Sequence, residues 1–149
     1  MIRLGNIFDT PHVIRMLHNF RKMNPIESLT NMGNDDHVSK LYNAIIHGRG
    51  IALIAEKEFP IGLFLAIIDQ NIWDPNILIL QELAYWVEPE YRNTTIGYRL
   101  LSKYNEQAKQ LQKENRITFY TMTKTTKSPD LDFTRYGYSK VEETWVAGV

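Results

Sequence analysis

The chain has 149 residues, of which 44% are hydrophobic and 23% charged, the size and composition of one globular domain spanning residues 1–149. Lysine plus arginine and aspartate plus glutamate each total 17, so the net charge is zero, which argues against nucleic-acid binding driven by overall charge. The absence of cysteine excludes disulfides, thiolate nucleophiles and cysteine-based zinc sites.

The sequence does not predict a secreted or membrane protein. Residues 1–9 lack the basic start and the apolar run of a signal peptide. The longest apolar run, residues 61–68, is too short to span a bilayer. We therefore expect a cytoplasmic protein without a membrane partner.

The first third of the sequence predicts a short strand and two helices. Residues 1–4 alternate as a strand, and Thr10 can cap a helix that begins at Pro11. A second helix begins at residues 34–35, because apolar residues recur there at every third or fourth position. Gly48 is typical of a helix end.

The middle of the chain predicts antiparallel strands. Apolar runs at residues 51–56, 61–69 and 77–87 are separated by short turns, so these three strands should pair as successive hairpins.

In the last third of the chain the spacing of the apolar residues changes twice. Residues 96–114 have helical spacing and residues 117–123 predict a strand, so the connection is a crossover and its two strands should be parallel. A short helix at residues 129–136 and a strand at 138–146 complete the chain. The prediction is an α/β fold with a mixed sheet and helices on both faces.

The turn before the long helix is the most informative segment. A helix N-terminus presents unpaired N–H groups and a partial positive charge, which suit a phosphate. Gly97 would allow close backbone approach, Thr94 and Thr95 add hydroxyl donors, and Arg92 adds charge. By itself, this pattern is equally typical of a capped helix whose Gly97 packs against the sheet.

The sequence resembles the GNAT superfamily of N-acetyltransferases, in particular its small, phage-type members. In that family a strand is followed by V-x-P-x-x-R, whose arginine opens Q/R-x-x-G-x-G/A at a helix start. Arg92 and Gly97 match the first and last positions, and Thr95 replaces the middle glycine. Residues 82–87, ELAYWV, resemble the E-L-x-W-W-V strand of the small members, and the order of elements agrees over nearly the whole chain.

The resemblance implies the GNAT fold, with a central mixed sheet of six or seven strands and about four helices. It implies acetyl-CoA as cosubstrate, with pantetheine in a gap between two separating strands and the pyrophosphate on the helix N-terminus. The residues assigned to this site are Trp86, Val87, Arg92, Asn93, Thr94, Thr95, Ile96, Gly97 and Tyr98. Threonine at position 95 either narrows the space for the pyrophosphate or donates its hydroxyl to it.

The implied reaction is direct attack of a primary amine on the thioester, without an acyl-enzyme. Glu82 is the candidate base, because burial in an apolar strand raises the pKa of an unpaired carboxyl group; a structural Glu82 is the alternative. Many family members protonate the leaving thiolate with a tyrosine four residues before a C-terminal glycine, where this chain has Phe133. Tyr136, Tyr138 or water would then serve, and core packing is the alternative for each tyrosine.

Other functions stay open at this point. A GNAT-fold binding or regulatory protein without catalysis is favoured by Thr95 and Phe133. A nucleic-acid accessory protein is a third hypothesis, from tyrosines near basic residues. The acceptor is not identified, the histidines show no metal-ligand spacing, and the family's C-terminal strand makes a homodimer plausible.

Overall fold

A computed structural model describes residues 1–149 and contains five strands and three α-helices. The strands are β1 (Ile2–Leu4), β2 (Gly50–Glu56), β3 (Pro60–Gln70), β4 (Leu78–Val87) and β5 (Phe119–Thr121). The helices are α1 (Thr10–Lys22), α2 (Asp35–Ala44) and α3 (Ile96–Lys113). None of these helices combines the length and the apolar composition that crossing a membrane would require.

The five strands form one sheet in the order β1-β2-β3-β4-β5. The first four pair antiparallel, and β5 pairs parallel to β4 after the crossover through α3. The predicted mixed sheet is therefore confirmed, although β5 is shorter than the predicted strand at residues 117–123.

Helices cover both faces of the sheet, as predicted. One core cluster packs α3 against the sheet and is centred on Phe64, Leu100 and Tyr104. The other packs α1 and α2 on the opposite face and includes Met16, Tyr42 and Trp86. Successive strand residues alternate between these two clusters, so each strand side chain has a defined face.

The predicted numbers of strands and helices are wrong, and the C-terminal part of the chain accounts for much of the difference. Residues 137–149 form no strand, and a single 3₁₀ turn, Phe133–Tyr136, replaces the predicted helix at residues 129–136. Gly137, with a φ of 87°, ends that turn.

Side chains, rather than main-chain pairing, attach this segment to the domain. The Tyr138 hydroxyl donates to Asn105 Oδ1 on α3 at 2.5 Å, and the Tyr138 ring packs edge-on against Tyr120 of β5. Beyond this anchor, Val141 and Trp145 are exposed, so nothing pairs with the chain to make it a strand.

The start of α1 also differs from the prediction. The Thr10 hydroxyl donates to the Ile7 carbonyl at 2.7 Å instead of capping the helix. The N-cap residue is Asp9, and its carboxylate accepts two hydrogen bonds from the Arg3 guanidinium, at 2.7 and 2.8 Å. Arg3 also binds Glu56 at 2.9 Å, so this network joins the beginning of α1 to β1 and β2.

Substitution of Asp9 by asparagine should destabilise the fold by about 2–3 kcal/mol at pH 7, because a buried charged partner of Arg3 is lost. Arg3 holds the pKa of Asp9 below its ordinary value of 3.8. The stability that the wild type has over the variant should therefore be fully present above pH 3.8 and should disappear as the pH falls through the lowered pKa of Asp9.

Urea unfolding of the variant and the wild type between pH 3 and 7 measures this difference. Asp36→Asn is the matched control, since Asp36 pairs with Lys40 on the surface and should contribute less than about 1 kcal/mol. Equal effects at the two positions would contradict the assignment.

Candidate active site

The parallel strands β4 and β5 separate soon after they meet. They pair at Ile79↔Phe119, Leu80↔Tyr120 and Gln81↔Thr121, and β4 then continues alone to Val87. We call this free edge of β4, residues 82–87, the gap. At its closed end the Thr123 N–H donates to Glu82 Oε2 at 3.1 Å, so a side chain replaces the main-chain partner that a continued ladder would supply.

Two further features lie where the strands separate. The hydroxyl of the fully buried Tyr104, on α3, donates to the Thr121 carbonyl at 3.0 Å, which braces the last paired residue of β5. In β4 the pairing with β3 shifts at Leu83, because Leu65 pairs with Ala84 and Ala66 with Glu82. The bulge bends the strand where the gap begins.

The pairing with β3 determines which main-chain groups face the gap. The Glu88 N–H donates to the Ile61 carbonyl at 2.8 Å. Hydrogen-bonded and non-hydrogen-bonded residue pairs alternate along an antiparallel ladder. The N–H and C=O groups of Trp86 therefore also point towards β3, whereas those of Val87 point away from β3. Of the two residues predicted to bind pantetheine through their backbone, Val87 therefore presents its N–H to the gap and Trp86 does not.

The N-terminus of α3 presents unpaired donors, as predicted. The backbone N–H groups of Asn93, Thr95, Gly97 and Tyr98 make no hydrogen bond within the protein. The Ile96 N–H is already engaged by the Thr94 hydroxyl at 3.3 Å. An anion at this turn would therefore meet four free N–H groups and the positive end of an 18-residue helix.

The hydroxyl groups of the turn differ in their availability. Thr94 Oγ1 donates to the Tyr91 carbonyl at 2.5 Å, so its proton is not directed at solvent. Thr95 is exposed at the N-cap position, and its side chain makes no capping bond. Tyr98 is also exposed. Thr95 therefore retains the free hydroxyl that the sequence predicted.

The Arg92 side chain folds back onto β4. Its Nε donates to the Val87 carbonyl at 2.9 Å, and its guanidinium carbon lies 4.4 Å from the centre of the Trp86 ring. Trp86 itself is buried in the α1 and α2 core, with Phe20 packed against its ring, and its indole N–H has no partner. Arg92 therefore contacts both strand residues that were predicted to meet pantetheine.

Gly97 faces the sheet. Its carbonyl accepts a hydrogen bond from the Tyr85 hydroxyl, and a Cβ at Gly97 would lie 3.3 Å from that oxygen. The missing side chain thus makes room for Tyr85, and the turn's capacity for a phosphate comes from its N–H groups. Of the two interpretations of Gly97 that the sequence allowed, the contact with Tyr85 agrees with packing against the sheet, and close approach of a ligand stays a prediction.

Glu82 lies half-buried at the closed end of the gap, on the α3 side of the sheet. Burial raises the pKa of Glu82 from 4.5 to about 7, against the opposing effect of its hydrogen bonds from Thr123. Its partner is the main chain of Thr123, which agrees with the backbone-bonded form of the structural alternative, and no arginine pairs with it. A carboxyl group that titrates near neutral pH can exchange a proton with a substrate.

The tyrosines predicted as candidate acids differ in their surroundings. Tyr138 donates to Asn105, so its hydroxyl is engaged. Tyr136 makes no hydrogen bond through its hydroxyl, and it packs against the α3 core beside Phe133. Burial, followed by the influence of Tyr136, raises the pKa of Tyr85. Tyr136 is thus the freer of the two predicted donors.

Sequence reasoning missed three residues of this site. Tyr85 ties β4 to α3, Thr123 binds Glu82, and Tyr104 braces the separating strands. The first lay within a quoted motif without an assigned role, and the second had no distinguishing pattern. Lys124, which follows β5, is paired with Asp130 at 2.6 Å.

No family model matches this chain, and no curated protein matches it in sequence. Solved structures do match it. A GCN5-related N-acetyltransferase from Ralstonia eutropha JMP134 superposes with a TM-score of 0.73 at 19% identity, covering 99% of this chain and 97% of that one. A predicted acetyltransferase with acetyl-CoA from Clostridium acetobutylicum gives 0.72 at 14% identity, covering 99% and 95%.

A third similar structure is an aminoglycoside acetyltransferase from an uncultured soil metagenomic sample, in complex with sisomicin. Its TM-score is 0.65 at 18% identity, and the match covers 100% of this chain and 93% of that one. At these identities the likeness is one of fold. The chain has the fold of the GNAT acetyltransferases, as the resemblance predicted.

Substitution of Glu82 by glutamine should stabilise the protein at pH 8 but not at pH 5. The folded-state pKa of about 7 lies above the ordinary value of 4.5, so ionisation disfavours the folded state as the pH rises between them. Allowing for partial exposure, we expect a gain of about 1–2 kcal/mol at pH 8.

Urea unfolding at both pH values tests this expectation. Glu58→Gln is the control, because Glu58 is exposed and its side chain makes no hydrogen bond. If the Glu82 variant gains nothing at pH 8, burial of a charged carboxylate at the gap is ruled out.

Proposed function

We propose that this protein is an N-acyltransferase that transfers an acyl group from acyl-CoA to a primary amine. The observation that carries the proposal is the gap: β4 continues past its last pair with β5, and Val87 turns a free N–H to that edge. The free N–H groups at the start of α3 follow directly in the chain. The free edge of β4 and the start of α3 therefore offer main-chain donors for a pantetheine arm and a diphosphate, respectively.

The chain's own residues supply three functions in this reaction. The N–H groups of Asn93, Thr95, Gly97 and Tyr98 bind the diphosphate, together with the positive end of α3. The Val87 N–H lies where it can donate to the thioester oxygen as negative charge develops on it. Glu82 takes a proton from the acceptor's ammonium group and so generates the neutral amine that attacks the thioester, for which a pKa of about 7 is suited.

The proton for the leaving thiolate comes from Tyr136 or from water. Tyr136 is the predicted tyrosine whose hydroxyl is not engaged, and Phe133 occupies the position that carries a tyrosine in many GNAT enzymes. Acetyl-CoA is the acyl donor we propose, since a structurally similar protein from Clostridium acetobutylicum is described with acetyl-CoA. Aminoglycosides are the first acceptors to test, because another similar protein is crystallised with sisomicin.

A CoA-binding protein without catalysis is the second candidate. It is favoured by Phe133 and by the engagement of the Tyr138 and Tyr85 hydroxyls, which leave few proton donors near the gap. Thiol release separates the two functions. The chain contains no cysteine, so a thiol-reactive dye would report only the CoA that the reaction liberates.

Arg92 should move when CoA binds. It occupies the Val87 carbonyl, which faces the gap, and a pantetheine amide that bonds there would release Arg92 towards the diphosphate. Trp86 would then lose the cation at its ring. Since Trp73 and Trp145 are exposed, the double variant Trp73→Phe, Trp145→Phe leaves Trp86 as the only tryptophan, and its emission under selective tryptophan excitation should change as CoA is added.

Calorimetry on the same double variant measures binding independently of emission. Addition of Arg92→Ala to it should weaken CoA about three- to tenfold and abolish the emission change. Binding without an emission change would contradict the movement of Arg92. Failure of the wild type to bind CoA at all would contradict the proposed function.

Substitution of Glu82 by glutamine should lower kcat by about 10²-fold and leave the Kd for CoA unchanged, because the amide cannot accept the proton. In the wild type, kcat should rise with pH through about 7 as Glu82 ionises. This rise of kcat with pH should be absent from the variant. Thiol release with a panel of primary amines measures both profiles, and unchanged turnover in the variant would remove Glu82 from the mechanism.

A further inference from the structure

Tyr85 is the one polar side chain at the gap that the proposed reaction does not use. It lies on β4, two residues before Val87, and its side chain is half-buried on the α3 face. Its ring packs against Phe64, with the ring centres 5.2 Å apart. Its hydroxyl donates to the Gly97 carbonyl in the first turn of α3.

This hydrogen bond connects two parts of the site that the chain joins only through residues 88–95. Most of that connection is exposed, and its 3₁₀ turn spans just Pro89–Tyr91. The Tyr85 bond therefore ties the strand that faces the gap directly to the first turn of the helix that faces the diphosphate, in addition to the bond from Arg92 to the Val87 carbonyl. Glycine at position 97 permits this approach, since a Cβ would lie 3.3 Å from the hydroxyl oxygen.

From this geometry we infer that Tyr85 is a positioning residue that holds the Val87 N–H and the α3 N-terminus at the separation acyl-CoA requires. The inference rests on the proposed function, because it assigns the two donor groups to one ligand. In CoA the pantetheine arm is joined covalently to the diphosphate. A site whose two halves are already held at a fitting separation loses less conformational freedom when the ligand binds.

The role predicts a specific pattern of affinities. In Tyr85→Phe the ring packing is retained and only the hydroxyl is lost, so each half of the site should keep its own donors. ADP, which uses the helix N-terminus alone, should bind as in the wild type. CoA, which must use both halves, should bind about three- to tenfold more weakly, with KM for acetyl-CoA raised and kcat nearly unchanged.

Tyr42→Phe is the matched control. Tyr42 is buried on the opposite face of the sheet, and its hydroxyl also donates to a main-chain oxygen, that of Asn6, at 2.9 Å. Both variants should lower Tm by similar amounts, because each loses one tyrosine-to-carbonyl hydrogen bond. Only Tyr85→Phe should change the ratio of CoA affinity to ADP affinity.

Calorimetry or ligand-observed NMR with CoA and ADP measures these ratios. A Tyr85→Phe variant that binds CoA like the wild type overturns the inference, and so does one that weakens CoA and ADP equally, since that would indicate damage to the turn itself. If the wild type binds ADP but not CoA, the proposed function fails, and this inference fails with it. The three results are distinguishable in one set of titrations.

Gly97→Ala tests the contact between Tyr85 and Gly97 by a change on the helix. The added methyl group should push the Tyr85 hydroxyl away and weaken CoA binding in the wild-type background. In the Tyr85→Phe background there is no hydroxyl to displace, so the same substitution should cost much less. Additive effects of the two substitutions on CoA affinity would overturn the inference.

Discussion

The hydrogen bond from Thr123 to Glu82 is the interaction on which the site depends. Two parallel strands that begin to pair would gain main-chain hydrogen bonds by continuing to do so. Here the carboxylate of Glu82 accepts from the Thr123 N–H, and the ladder ends after three residue pairs. Tyr104 braces the last of those pairs from beneath, so the separation is held on both strands.

The same carboxylate carries an electrostatic cost. Burial at the closed end of the gap raises the pKa of Glu82 to about 7, which means that the folded protein disfavours its charge. Burial first, and to a lesser extent the charge of Glu82, raises the pKa values of Tyr85, Tyr104 and Tyr138. A neutral amide at this position would join the strands without that cost.

Local patterns predicted most of the fold. The helical period of residues 96–114, the hairpins around residues 57–60 and 71–77, and the crossover to β5 depend on residues close together in the chain, and the structure agrees with each. The strand predicted at residues 138–146 was wrong because a strand exists only with a neighbour, and sequence periodicity does not report whether β5 offers one. The segment is attached by Tyr138 instead.

The features of the site also divide into those that local sequence patterns predict and those that depend on tertiary contacts. The free helix end was predictable, because a turn followed by a helical period is a local signal. The contacts of Arg92 were not predictable. Its place in the motif implies a side chain that points towards the diphosphate, whereas in the structure the side chain folds back onto Trp86 and Val87. The alternation of main-chain groups that selects Val87 over Trp86 also required the register with β3.

Gly97 takes part in two features of the structure, the free end of α3 and the contact between α3 and the sheet. Its N–H belongs to the free end of α3, while its carbonyl accepts from Tyr85 on β4. A larger residue would crowd Tyr85 from within the protein, even though the solvent side of the turn has room for one, as Thr95 shows. The two positions that carry glycine in the family motif are therefore under different constraints here. Position 97, which contacts Tyr85 of the sheet, is glycine, and the exposed position 95 is threonine.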